Sequence, residues 1–120
     1  MDFSRYENLR TLVRANFSEQ PRALVDEALV YADGKLTGLC RYDGTPLLDH
    51  AVAVAMVVIS EVGLGRSSTV SAILHDVVRL AHKRLPAEEF LALTADIRSR
   101  FGEQVVGITI GMCNISELKL

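Results

Sequence analysis

The sequence predicts an all-α domain, a helical bundle of five to six helices, and three observations support this fold class. Apolar residues recur at offsets of three and four along most of the chain, which is the spacing of one helix face. Breaks by glycine and proline fall at intervals that suit helices, and no Asn-Gly hairpin dipeptide occurs. With 49% hydrophobic and 23% charged residues among 120, the composition is that of one small globular domain or part of one.

The first third of the chain is expected to hold two helices and a loop. Residues 4–16 carry an apolar stripe at helical spacing. Ser18 is the expected N-cap of the second helix, whose apolar stripe stops near Gly34. Residues 34–46 hold three glycines and Pro46, so we expect a polar loop there.

The segment from Leu47 to Val62 allows two interpretations. Its alternation of valine and alanine would suit a buried strand. However, it runs about sixteen residues without a breaker, whereas strands usually have about five or six. We therefore expect a largely buried helix that is closed by Gly63 and Gly65.

Three further segments complete the predicted bundle. A helix runs to about Leu85, and Pro86 opens another that ends near Gly102. The last segment, Val105 to Ile115, is apolar enough to be buried as a helix or as a strand. The candidate N-caps for the first of these helices are Ser67, Ser68 and Thr69.

Charge and hydropathy exclude several classes of protein. The net charge of -2 lacks the basic excess of a DNA-binding protein. The longest apolar run, Ala51 to Ile59, is too short to cross a membrane, and the polar start of the chain has no signal-peptide pattern. Cys40 and Cys113 have no ligand-like spacing. We expect a cytoplasmic protein with two free thiols.

The strongest candidates for a functional role are His75 and Asp76, which are adjacent in a predicted helix. Neighbouring side chains on a helix diverge by about 100°, so this pair needs a further ligand from another element to hold an ion. His50, at the start of the preceding helix, could supply it. Imidazole and carboxylate ligands suit Mn²⁺, Fe²⁺ or Zn²⁺. The alternative is a simple hydrogen-bonded pair at the edge of the core.

Three blocks in order resemble the RelA/SpoT family. The stretch from Arg41 to Ala55 is similar to the segment that introduces that family's HD-type domain, which hydrolyses the alarmone (p)ppGpp. Ser71 to Val78 resembles its block ending in His-Asp-Val-Val, and Phe101 to Val105 resembles its Phe-Gly segment. The resemblance covers about residues 35–112 and implies an HD-domain-like helical bundle.

The resemblance also implies residue roles. His50, His75 and Asp76 match three metal ligands of the family's hydrolase site, with Mn²⁺ as the implied cofactor. Arg41 matches the arginine that packs on the guanine base. The implied ligand is a guanosine polyphosphate (ppGpp or GDP), and the implied reaction is removal of the 3′-pyrophosphate by metal-activated water.

Two departures argue against that reaction. After His-Asp-Val-Val, active hydrolases carry Glu-Asp, but this chain has Arg79 and Leu80. Neither arginine nor leucine can act as a base near neutral pH. The resemblance therefore implies a degenerate domain with no catalytic residue at these two positions.

The family's fourth metal ligand lies in a later helix that the chain does not reach. We therefore expect residues 1–120 to be the N-terminal part of an HD-type domain, truncated at its C-terminal end, with a (p)ppGpp synthetase (GTP pyrophosphokinase) domain downstream. Its expected role is regulatory, and apolar surface at residues 105–120 predicts self-association. Two alternatives stay open: an active metal-dependent (p)ppGpp or other nucleotide phosphohydrolase, and a non-catalytic helical interaction module.

Overall fold

The structure, a computed structural model, describes residues 2–62 and 65–118. These residues form a helical bundle, so the predicted all-α class is confirmed. A short 3₁₀-helix at Phe3–Tyr6 precedes six α-helices, which are α1 (Glu7–Asn16), α2 (Glu19–Leu36), α3 (Leu47–Val57), α4 (Arg66–Arg84), α5 (Ala87–Phe101) and α6 (Glu103–Leu118). Within the described part of the chain, β structure is limited to one isolated bridge between Cys40 and Pro46.

Helix α4 forms the centre of the bundle and packs against α2, α3, α5 and α6. A helix surrounded in this way needs apolar residues on most sides. Its sequence satisfies that need, since Val70, Ile73 and Leu74 are fully buried. This central position brings the His75–Asp76 pair next to the other elements of the bundle.

Helix α2 is longer than expected, because it passes Gly34 and ends at Leu36. The extra turn buries Leu36 in the core, which compensates for the low helix propensity of glycine. The loop begins at Thr37, and Gly38 takes a positive φ of 77° directly after it. Ser18 is the N-cap residue as expected, although its side chain makes no capping hydrogen bond.

The helical interpretation of residues 47–62 is confirmed, and the strand alternative is wrong. Helix α3 continues into a π-helical turn at Val58–Val62. The Ser60 hydroxyl donates to the Met56 carbonyl at 2.7 Å within this region. The expected closure at Gly63 lies outside the described residues. The segment from 105 to 115 is likewise helical, as part of α6.

The predicted serine or threonine N-cap of α4 is wrong. The helix begins at Arg66, and Gly65 is the N-cap residue. The candidate caps lie inside the first turn instead, where the Thr69 hydroxyl donates to the Gly65 carbonyl at 3.1 Å. Thr69 is fully buried, so tertiary packing draws it into the helix.

The boundary between α5 and α6 falls where it was expected. Pro86 is the N-cap residue of α5, and Gly102 follows its last residue with φ 104° and ψ 163°. Residues of α6 up to position 113 pack onto the core through Val105, Val106 and Cys113. Self-association of the chain stays a prediction.

Two expectations about composition can be compared with the fold. Cys40 is exposed and Cys113 is buried, and neither forms a disulfide in the described part of the chain. Among the described residues, the helices are too short or too polar to cross a membrane.

Candidate functional site

A tight turn in the loop between α2 and α3 positions Arg41. The Arg41 amide donates to the Thr45 carbonyl at 2.8 Å, and the Gly44 amide donates to the Arg41 carbonyl at 2.9 Å. Gly44 has a φ of 89°, which favours glycine. The Asp43 carboxylate accepts from the Thr45 amide at 3.0 Å and reinforces the turn. The loop thereby returns Arg41 towards the first turn of α3.

Arg41 meets His50 in that first turn. The Nη1 atom of Arg41 lies 2.7 Å from Nδ1 of His50 and 3.4 Å from Nε2. A guanidinium can only donate hydrogen bonds, so Nδ1 must act as the acceptor in the shorter contact. The lone pair of this nitrogen is therefore engaged by Arg41.

Asp76 is held by an arginine of its own helix. The Nε atom of Arg79 donates to Oδ1 of Asp76 at 3.0 Å, one turn along α4. The Asp76 side chain is only 10% exposed, whereas the Arg79 side chain is 27% exposed. The guanidinium therefore compensates a carboxylate that is almost removed from water.

His75 lies beside this ion pair. Its Nδ1 atom is 3.8 Å from Oδ1 of Asp76, and its Nε2 atom is buried with no hydrogen-bond partner among the described residues. Burial lowers the pKa of His75 below its ordinary value of 6.5, Asp76 opposes the shift, and Arg79 and His50 add to it. At neutral pH His75 is therefore an uncharged imidazole.

The predicted ligands His50, His75 and Asp76 come from the packed helices α3 and α4, but their arrangement does not fit a bound metal ion. The orphaned Nε2 of His75 is a suitable ligand atom. However, Nδ1 of His50 and Oδ1 of Asp76 are each bonded to a guanidinium. The described residues also include no group of three or more His, Cys, Asp or Glu with the geometry of a metal site. Their assignment as metal ligands stays a prediction.

Arg79 and Leu80 are the two residues that depart from the Glu-Asp pair of the RelA/SpoT pattern. Both line an open cleft. Leu80 is half-buried and packs against the core. The cleft lies between the α2–α3 loop and the second half of α4, and Arg41 and Arg84 also line it. The sequence motifs assign no role to Arg84. Arg84 and Arg41 are 43 residues apart in the sequence, and only tertiary packing brings them to the same cleft. No local sequence pattern indicates this.

Sequence reasoning also missed a contact behind the site. The Tyr6 hydroxyl donates to Oδ1 of Asp49 at 2.9 Å, and the Arg5 guanidinium pairs with the other oxygen of the same carboxylate. Asp49 directly precedes His50 in α3. The N-terminal 3₁₀-helix therefore anchors the turn that carries His50.

Comparison with known proteins identifies a family. A family model described as HD domain matches residues 28–120. Among curated proteins and among solved structures, nothing matches the chain.

Proposed function

The chain belongs to the HD domain family, whose members are typically metal-dependent phosphohydrolases, and from this premise we propose a more specific role. The chain is the N-terminal HD-type domain of a cytoplasmic RelA/SpoT-like (p)ppGpp synthetase/hydrolase. Its hydrolase activity is lost or weak, and its role is regulatory. The three motif blocks at residues 41–55, 71–78 and 101–105 support the RelA/SpoT assignment.

The observation that carries the proposed loss of activity is the ion pair between Arg79 and Asp76. In this family an acidic residue at position 79 would help to order and activate the attacking water. A guanidinium is protonated at all physiological pH values and cannot accept a proton. It also adds a positive charge beside the carboxylate that a metal ion would need, so both contributions to hydrolysis are weakened together.

Recognition of a guanine nucleotide is proposed for Arg41 and its neighbour Tyr42. The Tyr42 side chain is 95% exposed, and the Arg41 guanidinium lies 5.8 Å from the centre of its ring. A planar guanidinium and an exposed aromatic ring can both stack on a purine base. The binding of ppGpp or GDP therefore needs no working hydrolase centre.

In this proposal the domain acts on a synthetase domain of the same parent protein. A ligand shifts a conformational equilibrium only by its difference in affinity for the two states. A nucleotide bound at Arg41 would bias the parent between synthetase conformations if the loop between α2 and α3 differs between them.

A second candidate function is favoured by one observation. The buried Nε2 atom of His75 has no hydrogen-bond partner among the described residues, and such a nitrogen is suited to a metal ion. This atom supports the alternative of an active metal-dependent (p)ppGpp or other nucleotide phosphohydrolase.

The deciding experiment uses the 120-residue chain with ppGpp and Mn²⁺. We expect no pyrophosphate release above the protein-free rate, together with saturable ppGpp binding by calorimetry. Arg41→Ala should abolish that binding, whereas Arg66→Ala, at the far end of α4, should leave it unchanged. Circular dichroism shows whether each variant is folded.

Two results would contradict the proposal. Rapid pyrophosphate release would exclude the loss of hydrolase activity and favour the second candidate. Binding that is equal in the folded Arg41→Ala and Arg66→Ala variants would exclude the proposed role of Arg41.

A further inference from the structure

The charged side chains that line the open cleft beside the Arg79–Asp76 ion pair are all positive. It encloses about 320 Å³, which is at the lower end of the size of ligand pockets. Its apolar lining includes Leu39, Leu47 and Leu80, and its charged lining consists of Arg41, Arg79 and Arg84. Among the described residues that line it, none has an acidic side chain. The cleft is therefore suited to an anion.

The arginines of this cleft keep unused hydrogen-bond donors. Arg79 uses Nε to bind Asp76, and its terminal nitrogens have no hydrogen-bond partner in the part of the chain that the structure describes. Arg84 is exposed, and none of the ion pairs found between described residues includes it. A guanidinium carries five N–H donors, so most of the donor capacity of these two residues is available to a ligand.

Phosphate groups match these donors best. Guanidinium groups bind phosphate oxygens through paired, charge-assisted hydrogen bonds that fix geometry as well as charge. Fixed cationic groups can also neutralise phosphate oxygens in the way that a divalent ion does. In this chain Arg79 donates a hydrogen bond to the Asp76 carboxylate, which a metal ion would otherwise use.

We propose that the cleft between the α2–α3 loop and α4 binds the phosphate groups of a phosphorylated ligand without a divalent cation, with Arg79 and Arg84 as their counter-ions. The inference rests on the proposed function only in taking the complete ligand for a guanosine polyphosphate. The chemistry of the cleft itself requires only the phosphate groups.

The test is calorimetric titration of the 120-residue chain with inorganic pyrophosphate in EDTA at low ionic strength. We expect binding in EDTA. Arg84→Gln should weaken it about tenfold or more, because a hydrogen bond to a charged group contributes about 1.5 to 3 kcal/mol. The matched control is Lys83→Gln, which removes the same charge from an adjacent exposed residue that does not line the cleft. Its affinity should stay within about twofold of wild type, since an exposed charge acts weakly through water.

Three results would overturn the inference: no pyrophosphate binding in EDTA, binding that requires added Mn²⁺, or equal losses in Arg84→Gln and Lys83→Gln. Arg84 is exposed, so its substitution should leave the fold intact, and a melting curve of each variant verifies this.

A parallel titration with ppGpp separates this inference from the proposed function. If pyrophosphate binds through Arg84 but ppGpp binds no more tightly than pyrophosphate, phosphate binding by the cleft is supported and the proposed guanine recognition is contradicted. If ppGpp binding depends on Arg41 and the affinity is unchanged in Arg84→Gln, guanine recognition is supported and phosphate binding by the cleft is contradicted.

Discussion

The Nε atom of Arg79 donates a hydrogen bond to Oδ1 of Asp76 at 3.0 Å across one turn of α4. The carboxylate is almost fully buried, and the guanidinium reaches it from the half-exposed side of the helix. Arg79 therefore compensates the buried charge of Asp76 and also holds the carboxylate oxygen that a metal ion would need.

Removal of this guanidinium should destabilise the fold. We expect Arg79→Gln to lower the free energy of unfolding by about 1 to 3 kcal/mol, because it leaves a buried carboxylate without its charged partner. Urea unfolding followed by circular dichroism measures the change. The control is Arg98→Gln, which breaks the exposed Arg98–Glu103 pair and should cost less than about 1 kcal/mol. Equal losses of unfolding free energy in the two variants would show that the Arg79–Asp76 pair contributes no more to stability than an exposed ion pair.

Replacement of the same arginine by an acid should create affinity for a divalent cation. Arg79→Glu frees the Asp76 carboxylate and adds a second one on the same face of α4. We expect Mn²⁺ to raise the melting temperature of this variant, since a ligand that binds only the folded state stabilises it. Wild-type protein and the surface control Arg98→Glu should show no such rise. An equal rise in wild-type protein would mean that Arg79 does not obstruct the site.

The junction between α5 and α6 should tolerate only glycine. Gly102 has φ 104° and ψ 163°, a region that other residues rarely occupy, so Gly102→Ala should cost about 1 to 3 kcal/mol. Gly107 provides the matched control, because it lies inside α6 and a Cβ there would meet no atom within 4 Å. Gly107→Ala should stabilise the protein by about 0.5 to 1 kcal/mol through higher helix propensity. Thermal unfolding measures both changes, and destabilisation by Gly107→Ala would contradict the described course of α6.

Two tyrosines should make stability fall at high pH. Burial and the hydrogen bond to Asp49 raise the pKa of Tyr6 from 10.0 to about 12, and burial and Asp96 raise the pKa of Tyr31 to about 12. Tyrosine in the unfolded chain ionises near pH 10, so deprotonation favours unfolding. The stability that these groups contribute is present below about pH 10 and is lost as the pH rises towards 12.

Absorbance at 295 nm and unfolding curves taken at several pH values measure this effect. Tyr6→Phe should reduce the loss of stability between about pH 10 and 12, because it removes one of the two shifted groups. Titration of every tyrosine near pH 10 in a protein that is still native by circular dichroism would contradict the shifts.

The element pattern of this protein could be predicted from its sequence where local rules dominate. The apolar stripe of residues 4–16 and the Pro86 and Gly102 boundaries lie as expected, because spacing and backbone restrictions act within a few residues. The prediction was less accurate where packing competes with local preference. Burial of Leu36 carries α2 past Gly34, and burial of Thr69 makes Gly65 the N-cap of α4.

The sequence by itself supplied the residues of the candidate site: His50, His75 and Asp76, with arginine at position 79. It could not determine which atoms meet, because contacts between Arg41 and His50 or between Tyr6 and Asp49 depend on how separate helices pack. Only the tertiary structure placed Arg41 and Arg84 at one cleft and left Nε2 of His75 without a hydrogen-bond partner among the described residues. The physical reason is that helix formation is governed by neighbours in sequence, whereas burial and charge pairing are governed by neighbours in space.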